Sequence, residues 1–231
     1  MDLIWRGLLG ALGLLARGDA ATLRVAALSL LVSGVATALA GLVGVPLGAA
    51  LALRRFRGQA IATSLVNTGM GLPPVVVGLG VSILLWRNGI LGPLGLIYTP
   101  AAMILAQFLV AVPIAAGLTR SAVSGLNVEF SEALRVDGAS EWRAGWEAVR
   151  AARPQVLVAV AAAFGRAISE VGASLMVGGN ILNSTRILTT AITLEVSRGE
   201  FERAIALGLI LLALAFLVNA VLVRSARPAA W

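Results

Sequence analysis

Long apolar runs separated by short basic clusters set the pattern of this chain. Charged residues are absent from 25–53, 58–86, 88–119 and 204–223. A helix needs about 20 apolar residues to cross a bilayer core, so each run predicts one span. Gly89, Gly92, Pro93 and Gly95 break the start of the third run, which confines its helix to 99–119. A fifth span begins at Pro154, a good first-turn residue, and carries Arg166 and Glu170. The expected spans are therefore 25–53, 60–86, 99–119, 154–178 and 204–223. Residues 3–16 are apolar but short, with Arg6 and Arg17 inside and beside them. They predict an interfacial helix over 1–20, with a sixth, short span as the alternative. Residues 179–203 read as the last loop.

The 120–153 loop has a pattern of its own. Asn127 can cap a helix with Glu129 in its first turn and Phe130, Ala133 and Leu134 on one face. Asp137-Gly138 ends it. Ser140 can cap a second helix that aligns Trp142, Trp146 and Val149. Nothing within the loop covers these apolar faces. They rest either on the chain's own span ends and the lipid interface or on a partner.

Composition sharpens this picture. Of the 231 residues, 59% are hydrophobic and 13% charged, against about 25% charged in an ordinary soluble domain. The chain is one unit over 1–231, an all-α polytopic membrane helix bundle. His, Cys and Lys are absent, so all 18 basic residues are Arg. That removes Cys nucleophiles, Ser-His-Asp triads, Lys Schiff bases and Cys/His zinc sites. It also removes the P-loop, which needs Gly-Lys-Ser/Thr, so ATP-driven work requires another chain. The net charge is +7. The Arg residues are scattered between apolar blocks, so they read as flanks of spans and not as a nucleic-acid-binding face. Placing the first loop, the 120–153 loop and the C-terminal tail in the cytoplasm puts ten Arg there against seven outside. The positive-inside rule then sets the N-terminus outside and the C-terminus in the cytoplasm.

Glu132-Ala133-Leu134, followed by Asp137-Gly138-Ala139-Ser140, resembles the E-A-A-x-x-x-G signature of permease subunits of bacterial ATP-binding-cassette importers. Leu134 stands where Ala is usual, and Ala151-Ala152 replaces the usual Leu-Pro. The stretch Gly71-Leu72-Pro73-Pro74-Val75-Val76-Val77-Gly78 is similar to permeases for molybdate and related oxyanions. Gly165 to Ala173, Gly178 to Ile181 and Thr185 to Ile192 resemble the tungstate branch most closely. The resemblance covers about residues 25–223. It implies the methionine-importer-like permease fold and a homodimer with two ATPase subunits inside and an oxyanion-binding protein outside. It implies that Glu132, Ala133, Leu134, Asp137, Gly138 and Ala139 couple the spans to the ATPase. It also implies that ATP and Mg bind the partner, with no cofactor, metal or catalytic residue in this chain. The expected substrate is tungstate, with molybdate or sulfate as alternatives. An ATP-independent channel or secondary anion transporter is the alternative of another class.

The remaining candidates come from the residues directly. Ala162, Arg166, Ser169 and Ala173 recur at helical spacing as a small, polar face, with Glu170 beside it. Phe164, Ile168, Val171 and Leu175 make a bulky face. Charges within a membrane normally face a bundle interior or a water-filled path, so the polar face is expected to point inward. Arg166 and Glu170 are either a structural ion pair or a pair that tunes passage of a divalent anion. Asn67 and Thr68 offer either a helix–helix hydrogen bond or a pathway contact. Pro73 and Pro74 interrupt helix bonding, as a kink or as a gate. Asn180, after Gly178-Gly179, lines the mouth of the path or simply follows a helix stop. Gly44 and Gly48 allow close helix packing.

Overall fold

The structure, a computed structural model, describes residues 2–16, 18–126 and 140–226. Ten α-helices account for most of them: α1 (Asp2–Ala16), α2 (Ala20–Leu53), α3 (Gln59–Met70), α4 (Pro74–Leu85), α5 (Pro100–Ser124), α6 (Glu141–Ala151), α7 (Arg153–Ile168), α8 (Gly172–Gly178), α9 (Leu188–Ser197) and α10 (Phe201–Ala226). Among the described residues there is no strand.

Helices α2, α5 and α10 are long and apolar enough to cross a membrane. Two bent pairs pass the same test jointly. The α3–α4 pair turns by 103° and the α6–α7 pair by 80°. Local chemistry sets the helix starts. The Asp19 carboxylate accepts from the Thr22 amide at 2.8 Å and opens α2. The Thr99 hydroxyl accepts from Ala102, with Pro100 at the first position, to open α5. Ser140 caps α6 by accepting from the Arg143 amide at 3.3 Å.

The centre is the packing of α2 on α5, completed by α7. Small residues make it possible: Ala40, Ala111, Ala115 and Ala163 form one buried cluster. A Cβ on Gly44 would lie 2.8 Å from that of Ala115, and one on Gly48 would run into the Ala116 carbonyl oxygen. With no water to expel between spans, such close contact and its dispersion energy hold helices together. A second cluster joins Val32 of α2, Val81 and Leu85 of α4, Met103 of α5 and Val177 of α8. A third, at the end bearing the 120–153 loop, joins Ala49, Val123, Ala148, Ala152 and Val156.

Two expectations change. The 154–178 span is not one helix: it stops at Ile168 and restarts at Gly172 as α8. The 179–203 segment is not all loop, because Leu188–Ser197 is helical and packs on α10. Residues 3–16 form the expected helix, and it is seated on α10. Ala11 joins Leu207 and Ile210 in a buried cluster, and Arg6 pairs with Glu202 at 3.1 Å.

Candidate functional site

Two helix breaks meet inside the bundle. The first follows Gly71-Leu72, where Pro73 cannot donate a backbone hydrogen bond. Val76 then bonds the Pro73 carbonyl at 3.0 Å and starts α4 afresh. The second break, Ser169–Val171, has no proline. Instead, the Glu170 carboxylate accepts the Ala173 amide at 2.9 Å through Oε1. An amide at a helix start has no intrahelical acceptor, so this side chain satisfies α8 as a new helix. The breaks pack together through glycine. A Cβ on Gly78 would lie 2.7 Å from the Ala173 Cα, and one on Gly172 would lie 2.7 Å from Val75 Cγ2.

The polar face of the fifth expected span divides at this break. Ala162 and Ser169 are exposed in the single chain. Arg166 keeps 34% of its side chain exposed. Ala173 and Glu170, in contrast, are buried in the chain, Glu170 at 2%. Phe164 and Ile168 of the bulky face are also buried, while Leu175 is 39% exposed, so only the α7 part of that face packs on the chain's own helices. Arg166 Nη1 lies 3.5 Å from Glu170 Oε2. Glu170 thus meets a cation with one oxygen and caps a helix with the other.

Helix α9 closes the break from the far side. The Thr189 hydroxyl donates to the Glu170 carbonyl at 2.9 Å. The Leu188 amide donates to Ser29 Oγ on α2 at 2.8 Å. One step away, Ser33 donates to Gln107 Oε1 at 2.9 Å, and Gln107 Nε2 donates to Ser174 Oγ at 3.0 Å. This fully buried chain ties α2, α5 and α8 together beside the break. Sequence reasoning missed it. A Gln inside the charge-free 88–119 run was the available signal.

The other candidates are placed apart. Asn67 and Thr68 are exposed on α3, one turn before the first break. Asn180 sits beyond α8 at φ 51°. Its side-chain oxygen accepts from Arg186 Nε at 3.2 Å, so Asn180 organises a turn. Glu132, Ala133, Leu134, Asp137, Gly138 and Ala139 lie outside the described residues, as does the helix expected to begin at Asn127. In the second loop helix, Trp142 and Trp146 are 77% and 62% exposed, while Ala148 is buried. The chain covers the Ala148 side of α6 and leaves both indoles open at the loop-bearing end. Arg54, in the first loop, reaches Glu141 of α6 at 3.0 Å.

Two depressions carry polar linings. One, of about 210 Å³ at the end where α2 begins, includes Arg24, Arg186, Arg203 and Glu195 in its lining. Asp19 stands beside it. The Thr22 hydroxyl, then the Thr22 amide, hold its pKa below the usual carboxylate value, with smaller help from Arg203 and Arg24 against burial. The other depression, nearer the loop-bearing end, lies between α3 and Arg120. Among the described residues no cluster of His, Cys, Asp and Glu could hold a metal ion.

Comparison with known proteins places this architecture. A family model described as "Binding-protein-dependent transport system inner membrane component" matches residues 44–227. A "Probable anion ABC transporter permease protein" of Haloferax volcanii is 46% identical over 85% of this chain and 87% of its own. The "Tungstate uptake system permease protein TupB" of Peptoclostridium acidaminophilum is 39% identical over 96% of this chain and 97% of its own. Among solved structures, a chain of the inward-facing MetNI methionine ABC transporter superposes with a TM-score of 0.69 at 19% identity. It covers 87% of this chain and 94% of that one. The fold is therefore the methionine-importer permease fold. The chain belongs to the family of inner-membrane components of binding-protein-dependent transport systems.

Proposed function

We propose that this chain is the permease subunit of an ATP-binding-cassette importer for tungstate. The observation that carries the reading is the meeting of two helix breaks at Gly78–Ala173 and Gly172–Val75. Transport proteins use such discontinuous helices where substrate crosses, because freed backbone is tolerated only when buried in protein or lining a cavity. The names of the Haloferax and Peptoclostridium relatives support an anion, and the second supports tungstate. Arg is the only cation type available to attract it.

The working unit in this reading is a homodimer. Two ATPase subunits dock at the loop-bearing end and hold ATP and Mg. An oxyanion-binding protein docks at the opposite, external end, where the N-terminus lies. The open indoles of Trp142 and Trp146 support docking at the loop end, since Trp is enriched in interface cores. Closure of the ATPase pair would move the segment around Glu132 and Gly138. That motion passes to α7 through α6 and reorients the breaks, giving alternating access. Arg166 offsets desolvation of the anion at the break, and Glu170 keeps it from being trapped there.

The test is co-expression with the cognate ATPase and binding protein. The reading expects a stable complex of two permeases and two ATPases. Its ATP hydrolysis should rise when tungstate-loaded binding protein is added. An ATPase rate indifferent to the loaded binding protein contradicts it.

A further inference from the structure

Helix α3 contributes no buried residue to the single chain, yet it is not uniformly apolar. Gln59, Thr63 and Asn67 recur every four residues and so share one face, with Ser64 at its edge. Ile61 and Leu65, each 68% exposed, occupy other positions. Facing the polar stripe is Arg120, near the end of α5. These side chains and Ala60 line an open depression beside α3. A hydrated tetrahedral anion can reach it from solvent.

The chemistry of the lining is one-sided. Thr63, Ser64 and Asn67 can all donate hydrogen bonds, and among the described residues no carboxylate lines the depression. Gln59 uses one N–H on the Leu51 carbonyl at 2.9 Å, which fixes the start of α3 to the end of α2. Arg120 Nε is buried without a hydrogen-bond partner among the described residues. A planar guanidinium can meet two oxyanion oxygens at once. The position is rigid. A Cβ on Gly48 would lie 2.9 Å from the Arg120 amide nitrogen, so α2 and α5 hold Arg120 in place. Asn67 is one turn, about 5.4 Å, from the break at Gly71.

We propose that Arg120, with Thr63 and Asn67 of α3, forms an oxyanion-binding station between the helix breaks and the loop-bearing end. The inference rests on the reading that the chain carries an oxyanion. It gives the anion a second stop after Arg166. Unlike Arg166, this stop is built from neutral donors and one cation. Neutral donors bind weakly enough to let the ion leave.

The experiment uses the full transporter, with its ATPase and binding protein, in lipid vesicles, and measures both tungstate uptake and ATP hydrolysis. Arg120→Gln is expected to lower uptake about tenfold or more, the scale of lost charge-assisted hydrogen bonds, with ATP hydrolysis within about twofold of wild type. Arg120→Lys should recover part of the uptake. The double variant Thr63→Val/Asn67→Leu, on the exposed face of α3, should lower uptake about threefold or more. Wild-type uptake in both Arg120→Gln and the double variant overturns the station alone. Equal loss of uptake and hydrolysis in Arg120→Gln also overturns it, because that marks a coupling residue. If Arg120→Gln does not assemble, the double variant decides by the same threshold. Absence of uptake by the wild-type complex overturns the station together with the transport reading.

Discussion

Thr189 donates its hydroxyl to the main-chain carbonyl of Glu170 at 2.9 Å, which latches the α9–α10 hairpin to the break between α7 and α8. A carbonyl at the end of a helix lacks its intrahelical donor, and this one is supplied from 19 residues downstream. Thr189→Val keeps the shape and removes the donor. Leaving a buried carbonyl unpaired costs about 1–3 kcal/mol. Thermal unfolding of the purified protein should show that loss, and Thr189→Ser should restore most of it. Equal stability of the Val and Ser variants would dissolve the latch.

Arg166 lies in the last turn of α7, three residues before the Ser169–Val171 break. Its side chain is one-third exposed, but Glu170, 3.5 Å away, is 2% exposed, so losing the cation leaves a buried carboxylate without its partner. Arg166→Ala is expected to lower tungstate uptake about tenfold, the scale of one lost charge-assisted contact, while the ATPase still co-purifies. Normal uptake by this variant in vesicles would assign the pair to structure.

Close approach of α2 and α5 rests on Gly48. Gly48→Ala forces its new methyl into the Ala116 carbonyl and should cost about 1–3 kcal/mol by overpacking. Gly34 on the same helix has open space, with nothing within 4 Å of where a methyl would sit. Gly34→Ala should be neutral or gain up to about 1 kcal/mol from helix propensity. Similar shifts for both variants in a thermal melt would refute the packing argument.

Asp19 predicts a pH dependence of defined sign. Its folded pKa is lowered, chiefly by the Thr22 hydroxyl at 2.6 Å and the Thr22 amide. A depressed carboxylate contributes stability that is fully present above the unfolded value, about 3.9. That contribution is lost as pH falls through the lower folded value. Asp19→Asn keeps an acceptor without the charge. The melting-temperature gap between wild type and Asp19→Asn should be largest at neutral pH and shrink below about pH 4. A gap constant with pH would show that the charge plays no part.

Several of these features were legible in the sequence for physical reasons. Pro73 and Pro74 announce the first break, because proline removes a donor whatever surrounds it. Gly44 and Gly48 announce close packing, and Ser140 announces a helix start. The second break was hidden. Ser169-Glu170-Val171 contains no proline, and the spacing of Ala162, Arg166, Ser169 and Ala173 fits an unbroken helix. The break exists because Glu170 caps α8 and Thr189 pairs its carbonyl, and both partners are tertiary. Helix α9 was hidden similarly. Thr189, Thr190 and Thr193 give it weak helix propensity, and its stability comes from packing on α10. Arg120 counted only as a marker of topology until α3 was seen to face it.

An ATP-driven path for a tungstate-type anion through these breaks, as proposed, has a direct consequence. The most direct measurement is tungstate accumulation by vesicles holding the permease, its ATPase and the loaded binding protein, with and without ATP. Uptake should run against a gradient and require both ATP and the binding protein, with molybdate and sulfate competing less well. Uptake that proceeds without ATP and stops at equal concentrations on both sides would contradict the proposal and mark a channel or secondary carrier.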